Sequence, residues 1–65
     1  MDYEVRAYKT RTNYDERRAA VILDGLVTQD GALDEGRMWL SDHEVVKVQS
    51  DDGEFIQVLE REERP

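Results

Sequence analysis

Residues 44–60 read EVVKVQSDDGEFIQVLE, and this stretch decides the fold. Two runs rich in β-branched residues flank the Asp-Asp-Gly sequence at 51–53, which is typical of a tight turn closed by a glycine with positive φ. A three-residue loop predicts that Val46 lies opposite Val58 and that Val48 lies opposite Ile56. These four side chains would share one apolar face. The opposite face would then carry the other apolar residues of the hairpin, Val45, Phe55 and Leu59.

A helix is predicted immediately before this hairpin, over residues 28–40. Thr28 can cap its start, and Asp30 lies in the first turn, where the helix dipole favours a carboxylate. The apolar residues recur with helical spacing and form one face, which consists of Ala32, Leu33, Gly36, Trp39 and Leu40. We expect this face to pack on a sheet, with Gly36 allowing a close approach of the two layers.

The N-terminal part predicts a first strand over residues 3–12 and a polar turn at 12–15. Residues 14–24 allow two interpretations. As a helix they would be capped by Asn13 and ended by Gly25, whereas as a strand Val21–Leu23 would form a centre that is buried on both sides. Three consecutive bulky apolar residues favour the strand.

The elements together predict a small α+β domain, in which one helix packs on an antiparallel sheet in the order β-β-α-β-β. The domain would span residues 1–60, and residues 61–65 would be a frayed, charged tail. The expected core consists of Val21, Leu23, Ala32, Trp39, Leu40, Val46, Val48, Ile56 and Val58.

The charge is unevenly distributed along the 65 residues. The net charge is −7, but residues 24–60 alone hold ten carboxylates and two basic residues, a net charge of −8. Such a segment repels nucleic-acid phosphates and anionic membranes and attracts a basic protein surface. We therefore expect a protein partner, no direct nucleic-acid binding and no membrane association. No stretch resembles a signal peptide or a membrane span, which predicts a cytoplasmic location.

No motif predicts catalysis. His43 is the only histidine, and its neighbours Ser41 and Ser50 are not spaced to form a nucleophile–base pair with it. The Asp-Asp-Gly-Glu sequence at 51–54 is too short for a calcium loop, whose ligands spread over about twelve residues. Cysteine is absent, and no glycine-rich phosphate loop is present. We expect no enzymatic activity, no metal and no cofactor.

The acidic residues are the strongest candidates for a binding site. They fall on the outer face of the predicted helix, at its exit and at the hairpin tip. The predicted partner-binding acidic face consists of Asp30, Asp34, Glu35, Asp42, Glu44, Asp51, Asp52 and Glu54.

The chain resembles the small acidic inhibitors made by bacterial viruses, in particular anti-CRISPR proteins. The resemblance rests on a first hairpin at Tyr3–Val27, on LVTQDGALDEG at 26–36 and on EVVKVQSDDGEFIQV at 44–58. It implies a non-enzymatic inhibitor in the host cytoplasm, which mimics DNA and occupies the basic DNA-binding surface of a CRISPR effector. The basic residues of the first half depart from a uniformly acidic mimic: Arg6, Lys9, Arg11, Arg17 and Arg18.

Two other functions compete with this interpretation. One is an adaptor or assembly protein that binds through the apolar residues Val45, Phe55 and Leu59. Such a protein would be a monomer or a homodimer. The other is a housekeeping domain of a halophile, in which the acidic surface serves only solubility.

Overall fold

A computed structural model of the chain describes residues 2–61. The sheet contains β1 (Tyr3–Tyr8), β2 (Val21–Leu26), β3 (Val45–Ser50) and β4 (Ile56–Glu60), and the helices are α1 (Arg11–Asp15) and α2 (Gln29–Trp39). All neighbouring strands are antiparallel, in the order β2-β1-β3-β4. The predicted α+β class and the β-β-α-β-β order are confirmed, with the short α1 added between the first two strands.

The main helix α2 lies where the sequence predicts it. The Thr28 hydroxyl caps its start by accepting a hydrogen bond from the Gly31 N–H at 3.0 Å. A Cβ atom at Gly36 would lie 3.0–3.2 Å from side-chain atoms of Val46, Val48 and Leu59. Glycine at this position therefore lets the helix pack closely on β3 and β4.

The core lies between α2 and the two central strands. Its fully buried apolar residues are Val5, Ala7, Ala32, Val46 and Val48. The predicted core residues Val21, Leu23, Trp39 and Leu40 are only partly buried and pack around this cluster. Val5 and Ala7 are buried because β1 has a strand on each side, whereas the predicted core did not include them.

The prediction that Val21–Leu23 lies in a strand rather than a helix is confirmed, but the expected burial on both sides is wrong. β2 is an edge strand, and the side chain of Ile22 is 55% exposed. The reason is that β1 pairs with β3 along its whole length, from Tyr3 opposite Ser50 to Tyr8 opposite Val45. This long-range pairing takes the central place and leaves β2 outside.

The predicted first strand ends early, at Tyr8, because Thr10 starts a helix. The Thr10 hydroxyl accepts a hydrogen bond from the Asn13 N–H at 3.1 Å and thereby caps α1. The predicted polar turn at 12–15 therefore lies entirely within α1. The Tyr14 ring of this helix stands edge-on to the Tyr8 ring, with the ring centres 5.1 Å apart.

The end of α1 is a Schellman motif. The Arg18 N–H donates to the Asn13 carbonyl at 2.8 Å, and the Arg17 N–H donates to the Tyr14 carbonyl at 3.0 Å. This motif places the residue after the cap in the left-handed region, where glycine is usual. Here Arg17 occupies that position with φ 59°.

The predicted hairpin at 45–60 is confirmed, but its register is shifted by one residue. Val46 lies opposite Leu59 and Val48 lies opposite Gln57, not opposite Val58 and Ile56. Because side chains alternate along a strand, a shift of one residue exchanges the two faces of β4.

The Ser50 side chain explains the register. Its hydroxyl accepts from the Phe55 N–H at 3.0 Å and donates to the Asp52 carboxylate at 2.6 Å. The Ser50 N–H also donates to the Phe55 carbonyl at 2.9 Å, so the loop has four residues rather than three. Asp52 accepts from the Glu54 N–H at 3.0 Å as well. The hydrogen bond from Ser50, followed by that from Glu54, lowers the pKa of Asp52.

The shifted register overturns two predictions. Ile56 and Val58, expected in the core, are 54% and 39% exposed on the side away from α2. Phe55 and Leu59 instead pack against the core, while Val45 is buried on the other side of the sheet. The predicted apolar contact surface of Val45, Phe55 and Leu59 therefore does not form.

The hydrogen bonding between β3 and β4 continues one residue beyond both strands, since the Arg61 N–H donates to the Glu44 carbonyl at 2.9 Å. The other residues of the predicted tail, 62–65, lie outside the described residues, and the predicted fraying stays a prediction. Within the described part of the chain, neither helix is long and apolar enough to cross a membrane.

Gly36→Val should destabilise the domain, because the added side chain has no room between α2 and β3. Overpacking a core costs ~1–3 kcal/mol, and we expect a loss in this range in the free energy of unfolding in urea. Met38→Val, at an exposed site of the same helix, serves as the control and should have little effect. Equal stability of the two variants would contradict the close approach at Gly36.

Ser50→Ala should lower the free energy of unfolding by ~1–3 kcal/mol, because the Phe55 N–H loses its acceptor in a partly buried loop. The matched control is Ser41→Ala, which removes an exposed hydroxyl bound to the Met38 carbonyl. Chemical denaturation measures both. If Ser50→Ala is no more harmful than Ser41→Ala, the hydroxyl does not hold the register.

Asp52→Asn should lower the Tm at neutral pH, and the difference in Tm from the parent should disappear in acid. A carboxyl group with a pKa lowered by folding stabilises the fold above its unfolded pKa, and this contribution is lost as the pH falls through the folded value. The difference in Tm between the parent and Asp52→Asn should therefore shrink below about pH 4. Thermal unfolding from neutral to strongly acidic pH tests this, with Asp24→Asn as control. A difference that does not change with pH would contradict it.

Candidate functional site

One end of the sheet carries six exposed carboxylates, which we call the acidic end. They come from the start of β1, the end of β2, the first turn of α2 and the β3–β4 loop: Asp2, Asp24, Asp30, Asp51, Asp52 and Glu54. The backbone joins two of these regions, since the Asp51 N–H donates to the Asp2 carbonyl at 2.8 Å. The fold thus brings together acids that are up to 52 residues apart in sequence.

No basic side chain within residues 2–61 belongs to this end. Arg6 and Lys47 lie opposite each other in the middle of the sheet. The other cations lie toward the opposite end, beside α1, in the last turn of α2 or after β4: Lys9, Arg11, Arg17, Arg18, Arg37 and Arg61. None of the six carboxylates forms an ion pair with a described residue. Within residues 2–61, the acidic end is therefore a negative surface with no cationic side chain to offset it.

The predicted acidic face is divided by the fold. Four of its members lie at the acidic end: Asp30, Asp51, Asp52 and Glu54. Asp34 and Glu35 lie farther along α2, where Asp34 pairs with Arg37 at 3.0 Å and Glu35 is half-buried. Asp42 and Glu44 lie at the opposite end, because α2 runs from one end of the sheet to the other.

Asp42 and Glu44 hold local structure at the opposite end. The Asp42 carboxylate lies 2.7 Å from Nδ1 of His43, which is buried and also contacts the Trp39 carbonyl at 3.1 Å. Glu44 accepts a hydrogen bond from the Arg11 N–H at 2.9 Å. The first two contacts hold the α2 exit together, and the third ties the start of α1 to the residue that precedes β3.

Asp2 and Asp24 belong to the acidic end, although the sequence analysis did not single them out. With Glu4 and Asp51 they line a shallow depression of about 470 Å³. Asp24 reaches it through a bulge in β2, at Gly25 with φ 75°. No group of three or more histidine, aspartate or glutamate side chains within residues 2–61 is arranged to hold a metal ion.

The face of the sheet away from α2, which we call the open face, carries a second polar site. A cleft of about 510 Å³ lies where α1 covers one end of this face. We call it the basic cleft, and it is lined by Arg6, Tyr8, Tyr14, Asp15, Arg17 and Lys47. Three of its six residues are cationic, although acids outnumber bases in the chain by sixteen to nine.

The cations of the basic cleft differ in their partners. The Arg6 guanidinium binds the Glu4 carboxylate at 2.5 Å, and this hydrogen bond raises the pKa of Arg6 above its ordinary value. Asp15, at the rim, lies 3.9 Å from Arg11. The side chains of Arg17 and Lys47 make no hydrogen bond or ion pair with any residue from 2 to 61.

Comparison of the chain with protein-family models, with curated proteins and with solved structures finds no match.

Proposed function

We propose that this protein is a non-enzymatic inhibitor that binds a basic, nucleic-acid-handling surface of another protein through its acidic end. The observation that carries the proposal is the cluster of six exposed carboxylates, none of which forms an ion pair within residues 2–61. A surface of this kind attracts a basic partner at long range and competes with nucleic acid for the same site.

The arrangement of the acids supports a mimic of a nucleic-acid backbone. Asp2 and Asp51 lie side by side just beyond the start of β1 and the end of β3, where the Asp51 N–H donates to the Asp2 carbonyl, and Asp24 lies in the bulge of the neighbouring β2. Neighbouring strands lie ~4.8 Å apart, so Asp2 and Asp51 place their charges about 5 Å from each other. This spacing is of the same order as that of the phosphates of one DNA strand, which lie ~3.4 Å apart along the helix axis.

The resemblance to anti-CRISPR proteins makes a CRISPR effector the first target to test. The acidic end would occupy the positively charged surface on which the effector holds DNA, and no catalytic group is required. The basic residues of the first half do not argue against a mimic of DNA, because none of them lies at the acidic end.

Neutralising the acidic end should abolish inhibition without unfolding the domain. The test variant is Asp24→Asn, Asp51→Asn and Glu54→Gln combined; Asp52 is kept because it holds the loop. The assay is competition with DNA for the purified effector at low and at physiological salt. We expect the parent to compete, more weakly at the higher salt, and the variant to lose at least about tenfold in affinity, the equivalent of 1.4 kcal/mol.

The matched control removes the same number of charges at the opposite end: Asp15→Asn, Glu16→Gln and Glu60→Gln combined. It should compete nearly as well as the parent. If both triple variants lose affinity equally, only the net charge matters and no specific site exists. If neither loses affinity, the acidic end is a solvated surface, as in the halophile interpretation.

A further inference from the structure

We propose that the basic cleft is a binding site for the phosphate group of a small phosphate monoester. The site is separate from the acidic end and has the opposite charge. Its volume of about 510 Å³ lies within the range of small-molecule sites, which is roughly 300–1,000 Å³.

Two cations of the basic cleft differ from the other basic residues because they have no partner among residues 2–61. Of the eight basic residues within 2–61, four form ion pairs with carboxylates (Arg6, Arg11, Arg18 and Arg37), and Lys9 and Arg61 donate to backbone carbonyls. Only Arg17 and Lys47 have no such partner there, and both line the basic cleft. In a chain so rich in carboxylates, two unpaired cations that share one cleft indicate a site for an external anion.

The backbone at Arg17 is consistent with a binding role for its side chain. Its φ of 59° lies in the left-handed region, where a side chain with a Cβ is disfavoured and glycine would be accepted freely. The Schellman motif at the end of α1 requires this conformation, but it does not require an arginine. The fold therefore does not account for an arginine here, whereas anion binding in the cleft that it lines would do so.

A phosphate monoester matches the donors of the basic cleft. It is close to a dianion at neutral pH and offers three acceptor oxygens. Arg17 supplies a planar guanidinium and Lys47 supplies an ammonium group. Arg6, which already binds Glu4, and the Tyr14 hydroxyl line the cleft beside them. An arginine fork binds two phosphate oxygens at once, and a lysine binds phosphate as a point charge. A long nucleic-acid strand is disfavoured, because the excess of carboxylates on the domain repels its other phosphates.

The acidic end does not prevent anion binding in the cleft. Arg6 is four residues from Asp2, and Lys47 is four residues from Asp51. At ~3.4 Å per residue these separations are about 14 Å along the strands. They exceed the screening length of ~8 Å at physiological ionic strength. The local field of the cleft therefore dominates at its own position.

The test is an NMR titration of the full chain with phenyl phosphate, inorganic phosphate and acetate, at pH 7.5 and constant ionic strength. We expect saturable shifts with phenyl phosphate, confined to the amides around β1, α1 and residue 47. Acetate should bind at least about tenfold more weakly, because it carries one charge and two acceptors. Saturation by acetate at equal affinity, or by inorganic phosphate but not phenyl phosphate, would overturn the proposal.

Four single substitutions form matched pairs. Arg17→Gln and Lys47→Gln should each weaken phenyl phosphate binding about tenfold, because each removes a charged donor. Arg18→Gln and Lys9→Gln remove the same charges outside the cleft and should change the affinity less than twofold. Equal losses in both pairs would mean that only net charge is sensed, and the proposed site would be wrong.

Two further variants separate binding from folding. Arg17→Gly should keep or raise the Tm, since it relieves the left-handed backbone, and still lose affinity as Arg17→Gln does. Asp15→Asn should tighten binding severalfold, because it removes the one carboxylate that lines the cleft. A chain with Arg17→Gly that binds like the parent, or an Asp15→Asn chain that binds more weakly, would contradict the assignment.

Discussion

The Ser50 side chain fixes which residues face the core, because it sets the register of the β3–β4 hairpin. Its hydroxyl accepts from the Phe55 N–H and donates to Asp52, so a four-residue loop closes the hairpin. In this register Leu59 faces α2, and Gly36 can pack against it. A loop shorter by one residue would turn Leu59 outward and bury Val58 instead. The helix contact and the composition of the open face both depend on this loop.

Local signals were sufficient for the elements of the fold and insufficient for their arrangement. The Thr28 cap and the apolar period of residues 32–40 predicted α2, and the alternation around residues 51–53 predicted the hairpin. The pairing of β1 with β3 joins residues such as Tyr3 and Ser50, which are 47 positions apart. No local pattern encodes such a pairing, so the edge position of β2 and the burial of Val5 and Ala7 were not predicted. The predicted register of the β3–β4 hairpin was wrong because the Ser50 hydroxyl, and not the glycine alone, determines the length of the loop.

The candidate site, like the fold, could be predicted only in part from the sequence. Composition identified the excess of acid, and four of the eight predicted acids lie at the acidic end. The other two members of the acidic end, Asp2 and Asp24, could not be predicted, because only the order of the strands brings them close to Asp51. Conversely, proximity in sequence placed Asp42 and Glu44 with the hairpin, whereas α2 carries them to the opposite end. Charge segregation is thus a property of the topology: strand ends that meet in space gather the acids, and the middle of β1 and β3 brings Arg6 beside Lys47.

How strongly the two charged sites influence each other depends on how much of the domain a partner covers. A phosphate monoester brings about −1.5 to −2 charges at neutral pH, so a loaded cleft makes the open face more negative. If a basic partner covers only the acidic end, this added charge lies beyond the screening length and changes the partner's affinity little. If the partner's basic surface also extends over the open face, Arg17 and Lys47 repel it until an anion neutralises them. In this second geometry the two binding events are mutually favourable. Because binding free energies are reciprocal, the partner would raise the affinity for the phosphate by the same factor.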